Sequence, residues 1–217
     1  MRSVDLTAEA RIRRAALEMF PTRGVGGTTV RAIASAADVS PGLVLHHFGS
    51  KEGLLATCDR YVVETIRRYK TEPLADGSLN DPGFLAQIFS IAPPILRYLG
   101  WSLARGADAA AALFDEMLNE SVRMFAVAEE QGIVKPTDDD TARAAVLLTM
   151  QLGFVVLHDH LSRALDTDVF EMDGLTRVTA LMMDILTHGL FDPVALQSTR
   201  ESLEAATEMV RRERRDS

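Results

Sequence analysis

The sequence has a single cysteine, Cys58, and no long apolar run, and each of these two scarcities excludes a class of protein. One cysteine cannot form a disulfide within the chain, so a disulfide-stapled fold is excluded. The segment 1–14 carries charges where a signal peptide needs apolar residues, and we expect a reducing, cytoplasmic location. The longest nearly uninterrupted apolar run, 144–157, is shorter than the roughly 20 residues that cross a bilayer, so no membrane partner is expected.

What is present is a globular composition with an uneven charge. Of 217 residues, 47% are apolar and 25% charged, enough for a helical domain of ordinary size and a small appended module. The net charge of −8 argues against a polyanionic partner. Residues 1–70, however, carry 11 Lys and Arg against 7 Asp and Glu, whereas 71–217 carry 12 against 24. A basic head on an acidic body points to one end that meets a polyanion.

The head begins with two predicted helices. After Thr7, a predicted N-cap, apolar residues recur at helical spacing up to Phe20, which predicts a helix that ends at Pro21 and the glycines after it. Thr28 or Thr29 then caps a second helix, whose apolar stripe recurs at the same spacing as far as Ala37.

A very short third helix follows a tight turn. Asp38 can adopt the left-handed backbone that such a turn needs, and Ser40 with Pro41 has the pattern of an N-cap followed by the first helical residue. Gly49 fits a C-terminal cap, so the helix spans Pro41 to Phe48. A helix this short persists only when packed, and a helix-turn-helix provides that packing while one face meets the DNA major groove.

The third helix divides into an inner and an outer face. Val44 and Phe48, four residues apart, should anchor it inward. The outer face then holds the bare backbone of Gly42 and four side chains, Leu43, Leu45, His46 and His47.

The segment from Thr28 to Leu55 resembles the signature of TetR-family transcriptional regulators, and the resemblance extends over roughly residues 7–66. Asp38, Leu45 and Pro21 stand where the family usually has Gly, Tyr and a helix former. The resemblance implies that base edges are approached by Arg31, Gly42, Leu43 and His46, and that phosphates are held by Thr29, His47 and Lys51. Ser40, Pro41 and Leu45 complete the candidate DNA-binding set.

The side-chain chemistry agrees with these roles. Arg31 can contact guanine with two hydrogen bonds, and Leu43 can contact a thymine methyl group. Lys51 lies at the positive N-terminus of the fourth helix, where an anion is favoured.

The remainder predicts an all-α fold of two domains. Residues 1–49 form the helix-turn-helix domain and 50–217 a helical domain for effector binding and dimerisation, with helix 4, at about 50–69, as the connector. Helical segments are expected near 84–91, 94–103, 107–130, 139–164, 169–191 and 194–212.

Two helices, near 144–157 and 178–186, are apolar nearly all round and therefore need a second buried face. A four-helix interface between two copies supplies it, and a two-fold dimer matches a palindromic operator. The candidate interface residues are Leu147, Met150, Phe154, His158, Leu181, Met182 and Ile185.

Large apolar side chains of the body are candidates for a cavity that binds a small, largely apolar effector. They are Tyr98, Trp101, Phe114, Met117, Met124, Phe125 and Met150. Each of them could equally be ordinary core.

No metal, cofactor or enzymatic site is expected. His158 and His160 have metal-ligand chemistry, but residues two apart on a helix point to different faces. There is no paired nucleophile and base and no cofactor loop. We expect a repressor released from its operator by the effector; the alternatives are a ligand-independent activator or architectural protein and, further off, an all-helical enzyme.

Overall fold

The computed structural model describes residues 8–71, 73, 78, 81–105, 107–190 and 194–216. These residues contain no β-strand, and the predicted all-α class is confirmed. A π-helical turn, Arg67–Thr71, continues α4. The α-helices are α1 (Ala8–Gly27), α2 (Val30–Ala36), α3 (Pro41–Phe48), α4 (Lys51–Ile66), α5 (Pro82–Ala104), α6 (Ala107–Glu130), α7 (Asp140–Val156), α8 (His158–Leu165), α9 (Met172–His188) and α10 (Gln197–Asp216).

The chain forms two compact units, Met1–Leu175 and Thr176–Ser217. The first unit contains α1 to α8 and the start of α9. The second contains the rest of α9 and α10. The domain boundary expected between residues 49 and 50 stays a prediction.

In the first unit, α4 carries one continuous buried stripe. Leu54, Cys58 and Val62 are fully buried and belong to a core that also includes Phe20 of α1 and Tyr98 of α5. The ring of Phe20 stacks on that of Trp101, with 5.8 Å between centroids. The helix-turn-helix and the start of the body therefore share one core.

The prediction that Pro21 and the glycines after it end the first helix is confirmed for the glycines and wrong for Pro21. Helix α1 continues to Gly27, with its break at Gly24, where φ is 67° and ψ is 171°. Proline removes the backbone donor for the carbonyl of Leu17. The side chains of Leu17, Met19 and Phe20 are buried in the core around it, and this burial offsets the lost bond. At the far end, the hydroxyl of Thr28 donates to the carbonyl of Gly24 at 2.7 Å.

Two helix boundaries in the body also differ from expectation. The segments expected near 84–91 and 94–103 form one helix, α5, which runs through Pro93 and Pro94. Its buried residues just beyond the prolines, Ile95 and Leu99 among them, offset the cost of the missing donors.

The segment expected as one helix over 139–164 is instead two, α7 and α8, bent by 68°. At the bend, the Nδ1 atom of His158 lies 3.0 Å from the carbonyl oxygen of Val155, and its ring stacks on Phe170 at 4.6 Å. No single described helix has the length and apolarity to cross a membrane; this bent pair meets the criterion by length and composition alone.

Candidate nucleic-acid interface and internal cavity

Each short helix of the head begins at a side-chain cap. The hydroxyl of Thr29 accepts from the Ala32 amide at 3.1 Å, and that of Ser40 accepts from the Leu43 amide at 3.2 Å. Such caps satisfy amides that have no partner within the helix. They fix where α2 and α3 start, and therefore which of their side chains face outward.

The turn between α2 and α3 is closed by backbone bonds around Asp38. Asp38 has φ of 53°, which confirms the predicted left-handed conformation. The amide of Val39 then donates to the carbonyl of Ala34 at 3.0 Å. Asp accepts this conformation more readily than most side chains, so the turn forms without the glycine usual in the family.

The predicted inner and outer faces of α3 are confirmed. Val44 is fully buried, and Phe48 is half-buried against the core. Leu45 is 46% exposed, His46 and His47 are also exposed, and Leu43 is half-buried. A Cβ atom at Gly42 would meet nothing nearer than the hydroxyl oxygen of Ser40 at 3.9 Å, so the backbone there faces open space.

The flanking candidates lie at the edges of this surface. Thr29 and Arg31 are exposed on the first turn of α2 and its cap. Lys51, at the start of α4, is half-buried, and its ammonium donates to the carbonyl of Val25 at 2.6 Å. An ammonium carries three donors, and this bond uses one of them while tying α1 to α4.

A polar cluster that the sequence analysis missed joins α4 to α5. The carboxylate of Asp59 accepts from the Tyr98 hydroxyl at 2.8 Å and from the Ser102 hydroxyl at 3.0 Å. Its second oxygen accepts from Arg105 at 3.2 Å. Burial, then the negative charge of Asp59, raises the pKa of Tyr98 well above its ordinary value. Tyr98 thus holds two helices together, whereas the sequence suggested an effector contact.

An apolar cavity of about 180 Å³ lies within the first unit. Its lining spans α4 to α7, and consists of Ile66, Leu96, Leu99, Met117, Glu120, Ser121, Met124, Leu148, Gln151, Leu152 and Val155. Because Ile66 is the last residue of α4, the cavity reaches the C-terminal end of α4.

The structure brings two of the seven candidate effector residues, Met117 and Met124, to this cavity. Trp101 instead stacks on Phe20, and the guanidinium of Arg143 lies over Phe125 at 5.5 Å. Phe114 packs against the core, and Met150 is 55% exposed.

Sequence periodicity contained a signal for the missed part of the lining. On α7 the cavity residues 148, 151, 152 and 155 follow the spacing of one helix face.

The candidate dimer residues lie on two helices and at the bend. On α7, Met150 is exposed, whereas Leu147 and Phe154 are half-buried. His158 at the bend is half-buried against Phe170. In the second unit, Leu181 and Ile185 of α9 are 50% and 44% exposed, and Met182 is half-buried. Apolar side chains this exposed are typical of interaction surfaces.

Comparison with known proteins identifies the family of this chain. Residues 12–58 match the family described as bacterial regulatory proteins, tetR family, and residues 92–192 match a tetracyclin repressor-like C-terminal domain. The regulatory protein RaaS of Mycobacterium tuberculosis is 44% identical over 160 residues, which cover 72% of this chain and 74% of that protein. The chain belongs to the TetR family.

Solved structures of other regulators share the fold. PfmR from Thermus thermophilus has a TM-score of 0.57 at 20% identity, over 87% of this chain and 100% of that one. SmeT, the repressor of the Stenotrophomonas maltophilia efflux pump SmeDEF, has a TM-score of 0.55 at 22% identity, over 87% and 95%. As a TetR-family member, this chain is a DNA-binding transcriptional regulator with an N-terminal helix-turn-helix and a helical C-terminal domain.

Proposed function

We propose that this TetR-family regulator is a cytoplasmic, homodimeric repressor that leaves a palindromic operator when a small, largely apolar effector binds. The observation that carries the proposal is the apolar cavity at the end of α4. Helix α4 also packs against α3, so one continuous helix reaches both the cavity and the DNA-binding surface. A ligand-independent activator or architectural protein would have no need of such a cavity.

On DNA, α3 enters the major groove with its exposed face. We assign base contacts to Arg31, Gly42, Leu43 and His46, because they line the outward side of α2 and α3. Thr29, His47 and Lys51 hold phosphates at the edges of that surface. Ser40, Pro41 and Leu45 frame the start and centre of α3.

The effector binds among the methionines of α6. Met117 and Met124 line the cavity, and flexible thioether side chains adapt to ligands of varied shape. A volume of about 180 Å³ is small for a ligand site, and we expect a bound effector to enlarge the cavity by displacing its walls. Ile66 is one of those walls, and its displacement would move α4.

The dimer uses the exposed apolar face of α7 and, separately, that of α9. A two-fold interface repeats the same patch on both copies and places two recognition helices on two half-sites. Met150 and Leu181 supply exposed apolar area on these two helices.

Two substitutions test the assigned DNA contacts. Arg31→Ala should cost about 1–3 kcal/mol in operator binding and relax specificity at one base pair, because it removes a base contact. Lys51→Ala should weaken operator and random DNA alike and lower the slope of log affinity against log salt by roughly one, because it removes a phosphate contact. Fluorescence anisotropy with both duplexes over a range of salt concentrations measures this.

Control variants distinguish the loss of a DNA contact from a loss of protein stability. Arg163→Ala, an exposed arginine on α8, should change neither quantity. Lys51→Arg keeps the charge and should keep the salt slope. The thermal unfolding temperature of Lys51→Ala measures how much stability is lost with the hydrogen bond to Val25. Equal losses on operator and random DNA for both alanine variants would contradict the assignment.

A further inference from the structure

A second cavity lies where α1, α4 and α5 meet. Its volume is about 610 Å³, within the range of small-molecule sites. The floor is apolar, since Leu17 and Ile95 are buried there beside Ile91 and Pro94. It shares no lining residue with the cavity at the end of α4.

The walls of this second cavity are basic. Its ionisable lining groups with a charge at neutral pH are the guanidiniums of Arg13, Arg14 and Arg68 and the carboxylate of Glu64. The guanidinium of Arg13 lies 4.0 Å from the centroid of the Tyr61 ring, which also lines the cavity. One wall is therefore both aromatic and cationic.

Each arginine has a weak ion-pair partner four residues away along the chain. The ion pairs are Arg13 with Glu9 at 3.5 Å, Arg14 with Glu18 at 3.8 Å and Arg68 with Glu64 at 4.0 Å. Pairs of this length with exposed partners contribute little, so a ligand carboxylate can replace them at small cost. A hydrogen bond from a guanidinium to a carboxylate is charge-assisted and stronger than one between neutral groups.

We propose that this cavity binds a small amphipathic anion, a medium-chain carboxylate whose apolar body lies on Leu17, Ile91 and Ile95 and whose carboxylate meets the arginines. The charge selects the ligand, because three of the four charged groups that line the cavity are cations, and Glu9 and Glu18, the partners of Arg13 and Arg14, do not line it. The first cavity offers no cation among its lining residues, and its one charged lining residue, Glu120, is already paired with Arg123. The two cavities therefore take different ligands.

Decanoate, below its micelle concentration, is the probe, and isothermal titration of the full chain without DNA is the measurement. Decanoate should bind, and decanol and decyltrimethylammonium should bind more weakly. The double variant Arg14→Gln with Arg68→Gln should lose about tenfold in affinity for decanoate. The side chains of Arg14 and Arg68 are 68% and 62% exposed, so this variant should fold normally.

Matched variants locate the site. Arg60→Gln removes an exposed arginine of α4 that does not line the cavity, and should leave the affinity for decanoate unchanged. Ser90→Trp leaves the charge unchanged but fills the cavity, and should abolish binding. The proposal is overturned if decanoate does not bind, if the double variant binds it as tightly as the unmodified protein, or if Ser90→Trp keeps full affinity. None of these titrations measures the release of the protein from DNA, so their outcome is independent of the proposed repressor function.

Discussion

Cys58 is fully buried on the inner stripe of α4, next to Asp59. Desolvation, followed by the negative charge of Asp59, raises the pKa of its thiol to about 12 from the usual 9.0. Because the thiolate is the reactive form of cysteine, the folded protein presents an inert thiol. The residue acts as a small apolar side chain in the core.

We expect Cys58 to resist Ellman's reagent at pH 8 in the folded protein and to react fully once urea unfolds it. The raised pKa also contributes to the free energy of unfolding. This contribution is fully present at pH values below the unfolded pKa of 9.0 and is lost as the pH rises towards about 12. The free energy of unfolding should therefore fall in that alkaline window. Rapid stoichiometric labelling of the folded protein would contradict the assigned burial.

Single residues were predictable where their role is local. Asp38 could be placed in a left-handed turn because the pattern around it leaves three residues between two helices. Tyr98 was instead assigned to an effector cavity, because its partner, Asp59, lies on another helix, 39 residues away. Spacing along one helix carries no information about such a pair.

At the level of elements, α3 has the bounds that the sequence predicts. Its start and end depend on Ser40, Pro41 and Gly49, which act through their own backbone and side chains. The passage of α1 through Pro21 and the continuity of α5 through Pro93 and Pro94 were not predicted, because packing against the core outweighs the local effect of the prolines. Local signals therefore define the bounds of α3, and they fail at α1 and α5, where tertiary packing decides how far the helix continues.

The contact between α4 and α5 depends on one carboxylate. Asp59 accepts three hydrogen bonds from donors of α5 and the residue that caps its end, Arg105. A charge in a partly buried site is tolerated when its oxygens are satisfied in this way. The cluster therefore holds the connector helix against the body.

Asp59→Asn should lower the free energy of unfolding by about 1–3 kcal/mol, because the Arg105 guanidinium loses its charged partner. Urea denaturation measures the difference. Asp159→Asn is the control, since that side chain is 90% exposed and should change stability by less than about 0.5 kcal/mol. If the two variants prove equally stable, α4 is held to α5 by apolar packing alone.

For the whole molecule, the all-α class and the family could be predicted from the sequence, since the helix-turn-helix lies in one continuous segment. The cavities could not, because their walls come from helices far apart in the chain. The first is lined from Ile66 to Val155, and the second from Ala10 to Ile95. Ile66 nevertheless connects the first cavity to the helix that supports α3.

The uneven charge now has a structural meaning. The basic residues of 1–70 include Arg31 and Lys51 at the edge of the exposed α3 surface, whereas the acidic excess lies in 71–217. An acidic body repels the phosphate backbone and favours the orientation in which the head meets the duplex.

The central claim is that the exposed face of α3 reads DNA. The most direct test compares the affinity of the purified protein for a fragment selected from genomic DNA with its affinity for a random duplex, at several salt concentrations. We expect tighter binding to the selected fragment, a linear fall of log affinity with log salt, and loss of the preference in His46→Ala while the salt slope stays. Equal, salt-insensitive affinity for both duplexes, or an unchanged preference in His46→Ala, would contradict the account.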